Sequence, residues 1–326
     1  MPRYARVTGW GKYMPERVVA NNELKEKVNT SDLWIQARTG IKERRLAADD
    51  EAASDLAVKA AKNALTVAEV EPALLDLVIV ATVTPEMIFP SCASLVQHAI
   101  GAKNAAAFDL NAACTGFVAA LSTASMYIGT GTYNRVLVVG SEVYSRILDW
   151  GDRGTCVLFG DGAGAVVLEA SDSPPGFLSF DLGSDGSKPE LLYLPGLCGK
   201  PGDSDDGNHY LVMNGSEIYK FAIRAMTKSC KQALNSAGLT INDVKLLVPH
   251  QANKRIIQAV AKKLRVDNSK VFVNVQKYGN TSAASIPIAL CEAVEQGAIQ
   301  NNDNVVFVAF GAGLSWGAAV LQWGTG

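Results

Sequence analysis

The run "VLVVGSE", residues 136–142, returns in altered form as "VVFVAFG", residues 305–311, starting 169 positions later. Around it the recurrence widens. "VIV" at 78–80 precedes "LLV" at 246–248 by 168 positions, and a helix-like segment sits between the members of each pair. These segments are "CTGFVAALSTASMYIGTG" from Cys114 and "NTSAASIPIALCEAVEQG" from Asn280. Each half then closes on a glycine-rich strand, "FGDGAGAVVLEA" and "FGAGLSWGAAVLQW". Strand, helix, strand at a nearly constant offset predicts two similar α/β halves, each a mixed sheet covered by helices. Two copies of about 160 residues exclude a solenoid of short repeats. Residues 184–212, rich in Gly, Pro, Asp and Ser, are expected to form a long loop between the halves.

Composition limits the function classes. With 326 residues, 48% of them apolar, and a mean hydropathy of +0.11, the chain can bury a large core or two fused ones. Its 29 glycines suggest close backbone packing. A net charge of -2 and a pI near 6.0 give no general attraction to nucleic acid or to an anionic membrane, so a charged partner must meet a local patch. The first residues, "MPRYARVTGWGKYMPE", are interrupted by charges, and no window offers a spanning apolar segment. A soluble, cytosolic protein is expected. Six cysteines, at 92, 114, 156, 198, 230 and 291, stand far apart without a C-x-x-C pair, and there are three histidines, which argues against zinc. Most of these cysteines read as small buried hydrophobes rather than disulfide partners.

A duplication makes the differences between its halves informative. Cys114 opens a helix in the first half where Asn280 stands in the second, and Thr82 follows its strand where the second half has His250. A strand-to-helix turn aims side chains at a site, and the amide groups and dipole at a helix start are expected to favour a thiolate. Cys114 is therefore placed as a nucleophile. Alone, a strand-end histidine is an ordinary structural residue and an Asn before a helix an ordinary cap. Pseudo-symmetry brings the three together. Ile286, Leu290, Ala293 and Val294 are expected to form the buried stripe of the second helix. "GDGAG" at 160–164 is not a nucleotide loop, because a β-rich run and not a helix follows it.

These residues carry a resemblance to a known family. The chain resembles bacterial 3-oxoacyl-[acyl-carrier-protein] synthase III enzymes, of the thiolase fold, along nearly its whole length. The matching stretches are "SDLWIQARTGIKERR", "NAACTGF", "DRGTCVLFGDGAGAVVLE", "VPHQANKRII", "YGNTSAAS" and "FGAGLSWGAAVL". The resemblance implies a five-layered αβαβα core, with an N-terminal half over residues 1–172 and a C-terminal half over 173–326. It implies that Cys114 takes an acyl group from acyl-CoA, and that His250 and Asn280 hold the malonyl thioester of an acyl carrier protein as CO2 leaves. The amides of Cys114 and Ala312 would form a second oxyanion hole. There the chain has Gly311, Ala312 and Gly313 where relatives often carry three glycines. By the same resemblance Trp34, Arg38, Arg153 and Asn253 would grip the coenzyme, and Phe89, Phe159 and Met213 would line the acyl pocket. Lys220, Arg255, Lys262 and Lys263 would dock the acidic carrier protein. No metal or resident cofactor is implied, acyl-CoA being a substrate, and a homodimer is.

Other classes compete with the condensing enzyme. A related acyltransferase or ketosynthase of a secondary-metabolite (polyketide) pathway would retain the same three residues, whereas a non-catalytic partner subunit would usually lack the cysteine. A papain-type hydrolase has the same Cys, His, Asn order but neither the duplicated halves nor "WIQARTG". The primer is not readable, since acyl groups differing by a few methylenes differ by about 0.8 kcal/mol for each.

Overall fold

The computed structural model describes residues 3–196 and 209–324. Strand β1 (Tyr4–Tyr13) leads into the hairpin partners β2 (Arg17–Ala20) and β3 (Glu43–Leu46), which flank the short helix α1 (Asp32–Thr39). There follow α2 (Ala53–Ala68), β4 (Leu77–Ala81), α3 (Cys92–Ile100), β5 (Ala106–Leu110), α4 (Gly116–Gly129), β6 (Arg135–Glu142) and β7 (Gly162–Ser171). The remainder runs β8 (Gly176–Ser184), β9 (Leu192–Tyr193), β10 (Val212–Met213), α5 (Gly215–Ser236), β11 (Val244–Pro249) and α6 (Lys254–Leu264). It ends with α7 (Val275–Tyr278), α8 (Ser285–Glu295), β12 (Asn304–Gly311) and β13 (Ser315–Gln322).

Two mixed sheets result, ordered β1-β7-β6-β4-β5 and β11-β12-β13-β8. In both, a parallel pair (β4 with β6, β11 with β12) continues through antiparallel neighbours. The predicted duplication is therefore real in three dimensions. Even the place of β5 has a trace in the second sheet, where Val271 bridges to Leu247 in parallel.

Burial fixes the layers. Helices α2 and α3 cover one face of the first sheet with Leu56, Ala60, Ala64 and Val96, and α5 and α6 cover the far face of the second with Met226, Ala233, Ile256 and Val260. Helices α4 and α8 lie between the sheets, in a core that joins Phe117, Leu121, Ile286 and Leu290 to strands of both. That stacking is the five-layered αβαβα arrangement. A helix with a sheet on each side has no solvent face to keep polar, so α8 is buried at every position from Ser285 to Ala293. The stripe expected from its sequence is thus too narrow, and its last member, Val294, is only half-buried. Close approach here requires glycine: a side chain at Gly140 would put its Cβ 2.4 Å from the Ala283 carbonyl oxygen.

Each half does close on a glycine-rich strand, β7 and β13, but β12 turns directly into β13 while residues 143–161 intervene between β6 and β7. Phe310 ends a strand, whereas Phe159 lies in that insertion. The predicted long loop holds a 3-10 turn (Pro189–Leu191) and strand β9, and runs into β10, which pairs with it; Leu192 and Met213 of these strands and the neighbouring Leu211 line the main cavity. Cys198 and the rest of 197–208 lie outside the described residues.

Candidate active site

Cys114 sits in a 3-10 turn, Ala113–Thr115, between β5 and α4. The preceding residue, Ala113, has φ 46°, left-handed for an L-residue and costing about 1–2 kcal/mol. Ser282 has φ 48° at the same point of the second half's turn, Ser282–Ala284, which opens α8. The structural counterpart of Cys114 is therefore Ala283, and Asn280 stands three residues ahead of it. Gly311 closes on this turn: a Cβ there would lie 2.9 Å from the Cys114 nitrogen.

The thiol is buried, 7% exposed, and accepts a hydrogen bond from Ser282 Oγ at 3.4 Å. Burial pushes the Cys114 thiol up to about 12, opposite to the expected helix-start effect. The magnitudes explain which wins. A rise of that size is worth about 4 kcal/mol, whereas a helix end supplies about 0.3–2 kcal/mol. The resting residue is a thiol.

His250 directly follows β11 as Thr82 follows β4, and its backbone N–H donates to Val308 O at 2.8 Å. Its Nδ1 lies 2.6 Å from Ser285 Oγ, which accepts from the Gln251 N–H at 3.3 Å. With no other acceptor for its proton among the described residues, Ser285 donates to Nδ1 and so fixes the ring hydrogen on Nε2. Nε2 is buried without a partner among the described residues. Burial also lowers the His250 pKa to about 3, so the imidazole is a neutral donor at ordinary pH. Asn280 is buried, and its Oδ1 accepts from Ser282 N–H at 2.9 Å. Its amide Nδ2 is left as a donor, with no partner among the described residues. A buried donor without a protein acceptor is costly unless something else supplies one. Here His250 lines the same cavity as Cys114, with Asn280 beside it.

That cavity measures 1160 Å³. At its outer end Trp34 is half-buried, with the guanidinium of Arg153 4.7 Å from its ring centre and that of Arg38 at 5.9 Å. An indole and two planar cations suit a flat π-system carrying negative charge. Arg153 is steadied by a bond to Asn29 O. Asn253 lines the cavity, but both ends of its amide are engaged, Oδ1 capping α6 at Arg255 N–H and Nδ2 donating to Arg38 O. It positions Arg38 and the helix rather than presenting a free group. At the inner end Phe159 stacks on Tyr144 with ring centres 4.7 Å apart, and Met213 faces the same space. Phe89 is 84% exposed and does not line this chain's cavity, while its neighbour Ile88 does. The loop after β4 carries Phe89 outward.

The amides of Cys114 and Ala312 have no hydrogen-bond acceptor among the described residues, and both residues line the cavity. Of the basic residues, Arg255 borders the cavity mouth over the Tyr219 ring. Lys262 lies two turns further along α6, beside Lys263 and equally exposed. Lys220 is paired with Glu217 at 2.8 Å, which cancels part of its charge. Sequence reasoning passed over Glu142, Tyr144, Ser282 and Ser285. Only Glu142 had a signal, as a carboxylate ending an otherwise apolar strand. Among the described residues no cluster of three or more His, Cys, Asp or Glu suits a metal, and no helix is long and apolar enough to cross a membrane.

Comparison with known proteins places this geometry. Two family models match, described as 3-oxoacyl-[acyl-carrier-protein (ACP)] synthase III over residues 108–186 and its C-terminal part over 234–323. A β-ketoacyl-[acyl-carrier-protein] synthase III of Desulfitobacterium hafniense is 50% identical over 321 residues, covering 97% of each chain. The solved β-ketoacyl-[acyl carrier protein] synthase III of Thermus thermophilus is 47% identical, covers 98% of this chain and 100% of its own, and superposes with a TM-score of 0.93. The priming β-ketosynthase of the R1128 polyketide biosynthetic pathway is 38% identical, with coverages of 99% and 97% and a TM-score of 0.94.

Proposed function

Because the chain belongs to the 3-oxoacyl-[acyl-carrier-protein] synthase III family of condensing acyltransferases, we propose that it joins an acyl-CoA primer to malonyl-acyl carrier protein with loss of CO2. The product is a 3-oxoacyl carrier protein, the first step of fatty acid biosynthesis. One observation carries the reading: among the described residues His250 Nε2 is a buried donor without an acceptor, and it shares a cavity with a buried thiol and with Asn280, whose Nδ2 also has no partner there.

Cys114 takes the acyl group, its thioester oxygen held by the amides of Cys114 and Ala312 as negative charge develops. His250 and Asn280 then hold the malonyl thioester oxygen. Departure of CO2 leaves an enolate there, and fixed donors in a water-poor pocket stabilise that charge without reorganising. The enolate carbon attacks acyl-Cys114 and expels the thiolate. Trp34, Arg38 and Arg153 hold the nucleotide of CoA, with Asn253 positioning Arg38. Phe159 and Met213 bound the acyl chain, and Arg255, Lys262 and, with less free charge, Lys220 receive the acidic carrier protein. No resident metal or cofactor takes part in this scheme. Residues 1–172 and 173–326 act as the nucleophile-bearing and donor-bearing halves.

We place the enzyme in the cytoplasm, where CoA and carrier protein thioesters are made, and take it to be a homodimer. Support for the second copy is the edge strand β5, unpaired on one side, next to the exposed apolar run Met87, Ile88 and Phe89. Incubating the purified chain with an acyl-CoA and malonyl carrier protein should release CO2 and give the 3-oxoacyl carrier protein by mass. Acyl loading without CO2 release would instead support a related acyltransferase of a secondary-metabolite pathway.

A further inference from the structure

Arg44 serves no step of the scheme above. It stands on β3, fully buried, and no carboxylate lies within ion-pair distance of it among the described residues. Burial lowers its pKa to about 10, so the side chain stays a cation at ordinary pH. A buried cation without a close counter-charge costs stability unless its hydrogens are well used. They serve three acceptors. Nη1 donates to Val19 O at 3.2 Å, and Nη2 donates to both Asn21 Oδ1 and Val157 O at 2.9 Å, while Nε is buried with no partner among the described residues. The fork is aimed at what lies beyond its tip.

Two walls of the cavity meet there. Val157 belongs to the segment that supplies Arg153, and it lines the cavity together with Gly154 and Leu158. Asn21, itself buried, grips α1 at both ends: its Nδ2 donates to Asp32 Oδ1 at 2.9 Å in the first turn and to Ile41 O at 2.8 Å just beyond the last. Helix α1 carries Trp34 and Arg38. One nitrogen, Arg44 Nη2, therefore joins the wall of Arg153 to the wall of Trp34. Ile35, Ile41 and Val157 pack in one apolar cluster between these walls, which excludes water without fixing a direction. Hydrogen bonds fix direction.

We infer that Arg44 is a positioning residue for the coenzyme: by tying Val157 to Asn21 it sets where the Arg153 guanidinium stands over the Trp34 ring. The inference rests on the proposed function only in taking CoA as the acyl donor. Arginine suits the task because its planar fork reaches acceptors on both walls at once, which the single ammonium of a lysine does not. A lysine would keep the charge and most of the stem. That stem packs on the backbone beside Asn280, since a Cβ at Gly160 or Gly279 would lie 3.0 or 3.5 Å from Arg44 Cβ. Arg44→Lys therefore loosens the coenzyme walls and spares the donor site.

The test compares two acyl donors by mass-detected loading of Cys114: an acyl-CoA that loads the wild type, and the S-acyl pantetheine of the same acyl group, which has the same thioester and no nucleotide. The wild type should prefer the acyl-CoA, and Trp34→Ala should lose most of that preference. Arg44→Lys should lower the preference about tenfold, roughly what one misplaced cation over a ring is worth, through the KM for acyl-CoA, with loading from S-acyl pantetheine within about twofold of the wild type. Asn21→Ala frees α1 while leaving the guanidinium on Val19 O and Val157 O. It should act in the same direction, and it carries the test if Arg44→Lys does not fold. A merely structural role slows both donors alike. Equal loss on both donors, or a preference kept in Arg44→Lys and Asn21→Ala while Trp34→Ala loses it, overturns the inference and leaves the proposed function standing. Absence of loading from either donor in the wild type removes both.

Discussion

If His250 and Asn280 are donors to the malonyl thioester, removing them should separate the half-reactions, and the structure says how cleanly. His250→Ala deletes Nε2, the partnerless donor, along with the ring that Ser285 holds at 2.6 Å. Among the described residues the ring makes no hydrogen bond to Cys114, whose sulfur is held by Ser282 instead. Loading should therefore persist within a few-fold. Decarboxylation should fall by about 10²–10³, corresponding to about 2.7–4 kcal/mol for one preorganised donor. Asn280→Ala is less clean. The same side chain accepts from Ser282 N–H at 2.9 Å, so alanine frees the turn that presents Ser282 to the thiol and should slow both steps. Asn280→Asp keeps that acceptor, exchanges the donor for a second acceptor and places an anion beside the forming enolate. Loading should be closer to normal than in the alanine variant, and decarboxylation lower. The assay is mass-detected acyl loading beside CO2 release from malonyl carrier protein, with circular dichroism to verify the fold. Equal loss of loading and decarboxylation in a folded His250→Ala variant would refute the argument and make His250 the base for Cys114.

Cys114→Ala should abolish acyl loading on the protein by mass, while the other cysteines, buried or outside the described residues, remain unlabelled. Acid stability carries the sign of His250: the folded pKa near 3 lies below the unfolded value, so between about pH 6.5 and 3 the unfolded chain binds more protons. Falling pH should then cost up to about 1.4 kcal/mol per unit over that window, and His250→Ala should flatten this part of the stability curve measured by urea titration. Glu142 works the other way, its raised folded pKa removing stability as pH rises from about 4.5 through 7, so Glu142→Gln should be relatively more stable at pH 8 than at pH 5. Arg255→Glu should raise the KM for malonyl carrier protein, an effect that shrinks with salt, and leave loading from CoA nearly unchanged. Trp34→Ala should do the reverse, and equal impairment of both substrates by either variant would replace the two surfaces with one shared contact.

The sequence revealed the duplication because strand cores repeat apolar runs, and a run buried on both faces tolerates little else. It revealed Cys114 and His250 because each follows such a run directly. What it hid follows from geometry that periodicity does not encode. Helix α8 reads as amphipathic, yet its position between two sheets buries both sides. The offset of 166 residues pairs Cys114 with Asn280 in sequence, but the left-handed residues Ala113 and Ser282 show that the turns align three residues further on. That shift has a chemical result. It puts Ser282 where its hydroxyl reaches Cys114, and puts Asn280 where its Oδ1 secures Ser282 and its Nδ2 still faces the cavity. In the proposed mechanism one turn would thus serve both half-reactions, holding the thiol through Ser282 and the thioester through Asn280. The same physics explains why the thiol needs Ser282 at all. Burial that dries the pocket for enolate chemistry also pushes the Cys114 thiol up to about 12, so the site favourable to the second half-reaction is unfavourable to ionisation in the first.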